Sequence, residues 1–104
     1  MKHNRIYISG PISGLKREQY MRNFKETEVV LQWEGLAPVN PTRFLPCRWP
    51  WLYRLMGYKL TLLYDLFFLM RCQGIFMLEG WQGSRGANIE HDVAKWLGLK
   101  IIYE

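Results

Sequence analysis

The sequence predicts one α/β domain built on a small parallel sheet with helices on both faces. Three observations carry this. Four short apolar runs, at 5–9, 36–39, 74–79 and 100–103, have the length of buried strands. Longer segments with helical spacing separate them, so strand and helix alternate from end to end. The first three runs close on Gly10 and Pro11, on Asn40 and Pro41, and on Gly80, residues that turn a chain. At 104 residues the chain has room for a single domain, 1–104.

Each element follows from its local pattern. "RIYIS" at 5–9 reads as a buried first strand. From Lys16 to about Glu34, Tyr20, Phe24, Val30 and Leu31 recur near helical spacing with charges between them, giving an amphipathic helix that ends near Gly35. "LAPV" at 36–39 is the second strand. A loop with Pro46 and Pro50 leads to a long helix within Trp51 to Cys72, weakened by Gly57. "GIFMLE" at 74–79 is the third strand. "GWQGSRGANIEHDVA" at 80–94 leads into a helix from about Ala87 to Leu97, stopped by Gly98, and "KIIY" at 100–103 is the last strand. Right-handed crossovers then favour the strand order 2-1-3-4, a flavodoxin-like three-layer sandwich. In such sheets ligands bind beyond the carboxyl ends of the strands where the order reverses, here between the first and third. Residues 9–14, 40–44 and 79–86 gather at that edge.

Composition narrows the function classes. The net charge of +5 invites an anionic partner, but the cations are scattered, the densest groups being Lys16, Arg17 and Arg22, then Arg43, Arg48 and Arg54. With no run of five or six like charges a nucleic-acid groove is disfavoured, and a small phosphorylated ligand accounts for the excess equally well. Arg54, Lys59 and Asp65 interrupt the apolar stretch from Trp51 to Met70, which argues against a membrane span and for a buried or interface helix. A strand so near the start leaves no secretory signal, and Cys47 and Cys72 read as free thiols of a cytoplasmic protein. Cys/His metal spacing is absent, so no metal or other cofactor is expected. His3 and His91 read as surface residues. Trp33, Trp49, Trp51 and Trp96 read as core or interface anchors, the aromatic segment from Trp49 to Phe68 as a homodimer or partner surface, and a homodimer or higher homo-oligomer is expected.

The candidate chemistry sits at the sheet edge. In "SGPISG", Ser9, Gly10, Ile12, Ser13 and Gly14 form either an anion-binding turn or a plain tight turn. Asn40 opens the second loop. Glu90 stands near the start of the last helix, where the helix dipole favours an ionised carboxylate. It is either an ordinary helix-start glutamate or a reactive group. The glycines at 80, 83 and 86 strip side chains from the loop before it and leave room for a ligand. Ser84 is a cap or a ligand donor, and Trp81 either walls a base-stacking site or covers the loop. Asp65, amid "LTLLYDLFFLM", either marks the solvent stripe of an amphipathic helix or, as an aspartate among leucines and phenylalanines favours, faces a partner or a pocket. Tyr7, near the end of the first strand, reads from pattern alone as a core aromatic.

Three blocks, "IYISGPISG", "DLFFLMRCQGIFMLEGW" and "SRGANIEHDVAKWLGLKII", together resemble the nucleoside 2-deoxyribosyltransferase superfamily, and within it a branch of short proteins related to the 2'-deoxynucleoside 5'-phosphate N-hydrolases. The resemblance spans nearly the whole chain, residues 43–55 being least constrained. It implies that Glu90 is a nucleophile attacking C1' of the sugar, that Asp65 assists, and that Tyr7 orients the nucleophile. It also implies that Ser84 contacts a 5'-phosphate and that Gly10, Ile12, Ser13 and Gly14 line sugar or phosphate. The expected activity is N-glycosidic cleavage or deoxyribosyl transfer on a nucleoside or nucleoside 5'-monophosphate. The alternative is a non-catalytic nucleotide-binding module in which Glu90 meets ribose hydroxyls. One departure stands out: the family commonly places aspartate directly before the third strand, where this chain has Gln73. In characterised transferases a neighbouring subunit's carboxyl-terminal segment also reaches the pocket. This sequence stops just after its last strand, so that contribution is expected to be missing or rebuilt from another loop.

Overall fold

The computed structural model describes residues 4–12, 14–43 and 50–104. Its elements are β1 (Arg5–Ser9), α1 (Arg17–Trp33), β2 (Ala37–Val39), α2 (Pro50–Leu69), β3 (Gly74–Met77), α3 (Arg85–Leu97) and β4 (Lys100–Tyr103). All strands are parallel in the order β2-β1-β3-β4, as the alternation predicts. Tyr7 pairs with Val39 on one side and Ile75 on the other, which puts β1 at the centre of the register.

The period-two alternation of β1 feeds two cores. Ile6 and Ile8 pack with Phe24 and Leu31 of α1. Tyr7 points the other way and packs with Leu69 of α2, Ala87 and Ala94 of α3, and Ile75 and Met77 of β3. Helix α1 therefore covers one face, while α2 and α3 share the other, as right-handed crossovers on either side of β1 require.

Where boundaries differ from expectation, local chemistry explains it. Ser84 caps α3, its hydroxyl accepting from the Ala87 amide at 3.3 Å, so the helix begins at Arg85 rather than Ala87. Gly57 does more than weaken α2: at φ 79° and ψ 169° it breaks the helix into two pieces. Gly10 allows a close approach, since a Cβ there would stand 2.7 Å from Leu78 side-chain atoms.

The expected tryptophan anchors do not serve the core of this chain. Trp33, Trp51 and Trp96 are 85%, 62% and 84% exposed, and Trp49 lies outside the described residues. Helix α2 also leaves Leu55, Leu60, Leu63 and Phe67 exposed, as is Met70 just beyond its end. Among the described residues, no helix is long and apolar enough to cross a membrane. Cys72 is a free thiol donating to the Phe68 carbonyl at 3.4 Å, and burial raises its pKa to about 11, which keeps it protonated and unreactive. Cys47 and His3 lie outside the described residues.

Candidate functional site

Glu90 is the centre of the site. It is the sixth residue of α3 rather than part of its first turn, and it points into the sheet face shared with α2, where it is 7% exposed. The Tyr7 hydroxyl donates to its Oε2 at 2.6 Å and the Ser9 hydroxyl to its Oε1 at 2.6 Å. Both donors come from β1, because residues 7 and 9 share one face of a strand. Ser9, at the last position of that strand, is itself 1% exposed.

The electrostatics correct the expectation of a carboxylate kept ionised by the helix terminus. The dipole's influence falls off within the first turn, which Glu90 lies beyond. Burial dominates instead and raises its pKa to about 7, against the lowering pull of the Ser9 and Tyr7 hydrogen bonds. Asp65 is raised further, to about 8, first by burial and then by the charge of Glu90. The phenol of Tyr7 is raised by its burial, then by Glu90 and Asp65, so it remains a hydrogen-bond donor. Two carboxyl groups that repel each other's ionisation in a partly dry site share protons near neutral pH.

Asp65 is thus largely withdrawn from solvent and near enough to Glu90 to feel its charge. Among the described residues its carboxyl group makes no hydrogen bond, which leaves those oxygens for another group. Thr61, one helical turn earlier on α2, has a buried hydroxyl oxygen without a partner among the described residues. Helical spacing alone puts Thr61 beside Asp65, but nothing in the sequence says that its hydroxyl is unsatisfied.

The rest of the candidate set divides. Gly10 packs on Leu78 and the Ile12 side chain joins the core beneath α1, so this turn offers a ligand its backbone rather than these side chains. Gly14 is exposed, and Ser13 lies outside the described residues. Asn40 is 5% exposed: its Oδ1 accepts from the Thr42 amide at 3.0 Å and hydroxyl at 2.6 Å, while Nδ2 donates to Glu28 at 3.3 Å. Its polar atoms hold the loop after β2 to α1. Gly86 sits in the first turn of α3, directly behind the Ser84 cap.

Trp81 stacks on His91, ring centroids 4.4 Å apart, and His91 Nε2 lies 2.8 Å from the Tyr103 hydroxyl. His91 is therefore partly covered rather than freely exposed. Its side chain is 13% exposed because Trp81 and Tyr103 enclose it. Asn88, which the sequence pattern did not single out, fixes the glycine-rich loop. Its Nδ2 donates to the carbonyls of Ser84 at 2.8 Å and Gln82 at 2.9 Å. An amide four residues after a capping serine was the available signal.

Gln73 has no place in this chemistry. It lies at the opposite, amino-terminal edge of the sheet, where its Oε1 accepts the Arg5 amide at 2.8 Å. No group of three or more His, Cys, Asp or Glu side chains among the described residues is arranged to hold a metal.

The profile of a family described as "Domain of unknown function (DUF4406)" matches residues 4–103, nearly the entire chain. No curated protein matches the sequence.

Proposed function

We propose that this chain, which belongs to the DUF4406 family, cleaves or transfers the N-glycosidic bond of a nucleoside or nucleoside 5'-monophosphate. The observation that carries this reading is the buried Glu90, oriented by two 2.6 Å hydrogen bonds and coupled to Asp65 at the edge where an α/β sheet binds ligands. The resemblance to the nucleoside 2-deoxyribosyltransferase superfamily supplies the substrate class.

In the first step a carboxylate oxygen of Glu90 bonds to C1' as the C1'–N bond breaks. The base leaves with that electron pair and takes the proton of neutral Asp65. In the second step water, or an incoming base, attacks C1' and frees the Glu90 carboxylate, with Asp65 receiving the proton. Tyr7 and Ser9 hold Glu90 for attack. The Ser84 hydroxyl and the turn at Gly10–Gly14 hold sugar or phosphate, and Trp81 borders the base.

One observation favours the second reading, a nucleotide-binding module without turnover: both oxygens of Glu90 already accept internal hydrogen bonds. Incubation with a panel of deoxynucleosides, ribonucleosides and their monophosphates, followed by chromatography of free base, separates the two. The catalytic reading expects base release or exchange with at least one of them. Saturable binding of a monophosphate without any release supports the module instead.

A further inference from the structure

The cations that look scattered along the sequence converge in space. The only basic residues between positions 17 and 43 are Arg17, Arg22, Lys25 and Arg43. All four line one open cavity of about 690 Å³ between α1 and the loop after β2, together with Asn40 and Thr42. The volume is that of a small-molecule site. Among the described residues, no acidic side chain shares that lining. Glu28, itself buried, grips Arg43 through Nε at 3.2 and 3.0 Å and Nη2 at 2.9 Å. Leaving Arg17 aside, Arg22, Lys25 and Arg43 against this carboxylate come to +2 (3 − 1 = 2).

We infer that this cavity is a second ligand site, distinct from Glu90, for a multiply charged phosphate group such as a di- or triphosphate. Three features point there. Arg43 is held in place by Glu28 yet 56% exposed, and among the described residues no further protein acceptor engages it, so a guanidinium edge is presented ready-oriented. The loop that carries Arg43 is rigid where it matters, because the buried Asn40 and Thr42 are hydrogen-bonded to each other and Asn40 to Glu28. The other flank of α1 carries the opposite sign: Glu26, with Glu79 and Glu104, lines a separate cavity of about 400 Å³, so the field across the helix directs an anion to the basic side. Tetrahedral phosphate oxygens take donors from several directions, as cations from two chain segments supply them.

Calorimetric titration of the intact protein with inorganic pyrophosphate and, separately, with a nucleoside triphosphate tests this. Saturable one-to-one binding is expected in at least one of these arms. If both bind equally the site reads the phosphate chain alone; if the nucleotide binds tighter it reads the nucleoside as well. The double variant Arg22→Glu, Lys25→Glu, at two exposed helix positions, is expected to lower affinity at least about tenfold. The control Lys95→Glu, Lys100→Glu makes the same change in net charge at exposed positions elsewhere and should leave affinity within about twofold. Glu90→Gln should leave it unchanged, which keeps this result separate from the fate of the glycosidic reading. Absence of saturable binding in both arms overturns the inference, as does an equal loss in the control. Tighter binding of a single-stranded oligonucleotide, abolished by the same double variant, overturns it in favour of a nucleic-acid surface.

Discussion

Replacing Glu90 by glutamine is expected to lower turnover on the order of 10³-fold or more while leaving substrate affinity within a few fold. The amide has nearly the shape of the carboxylate but cannot form the glycosyl ester. The fold should tolerate the change. One hydroxyl keeps its carbonyl acceptor, the other has only to rotate and accept from the amide, and a carboxyl group whose ionisation burial opposes has been removed. Steady-state rates of base release, paired with direct binding of the same nucleotide, read the two effects separately. Affinity lost together with turnover would instead support a site that senses ribose hydroxyls.

Stability is expected to decline as pH rises from about 4 to about 8. Glu90 is raised from 4.5 to about 7 and Asp65 from 3.8 to about 8. Each holds its proton more tightly in the folded chain than in the unfolded one. Their stabilising contribution is therefore complete below the unfolded values, shrinks across the window between unfolded and folded values, and is exhausted above about 8. Within that window each group contributes a slope on the order of 1.4 kcal/mol per pH unit. Because the pair is coupled, the two slopes belong to the site rather than to one residue each. Denaturant unfolding at a series of pH values, in wild type and in the double variant Glu90→Gln, Asp65→Asn, isolates the effect from that of every other carboxylate. The variant should gain on wild type steadily from pH 5 to 8. A constant difference would mean that neither group is perturbed. If the proposed chemistry operates, its rate is expected to peak near neutrality, where the Glu90 and Asp65 pair holds a single proton between them.

Much of the fold was legible because hydrophobic period and turn residues act locally. Four short runs and their closing glycines, prolines and asparagine were enough to give the alternation and the parallel sheet, and right-handed crossovers narrowed the strand order. The site was legible in part. Glu90 stood out by its loop, whereas pattern alone read Tyr7 as a core aromatic and Ser9 as part of the turn, and only the resemblance pointed Tyr7 at Glu90; period two explains afterwards why both reach it. What the sequence hid is what three-dimensional burial decides. Glu90 looked like a carboxylate eased by a helix dipole, whereas its depth in α3 makes desolvation the larger effect. His91 looked exposed until Trp81 and Tyr103, ten residues before it and twelve after it (91 − 81 = 10; 103 − 91 = 12), closed over it. The cations of α1 looked scattered because helical spacing and a loop eighteen residues beyond Lys25 (43 − 25 = 18) bring them together only when folded.

The central claim, that Glu90 bonds covalently to the sugar, is tested most directly by acid-quenching the protein in mid-turnover and mapping its peptides by mass spectrometry. A nucleophilic Glu90 predicts a sugar adduct on the peptide that bears it, appearing in step with free base and missing from the glutamine variant. Base release with Glu90 unmodified at every time point, or an adduct on another residue, would contradict it.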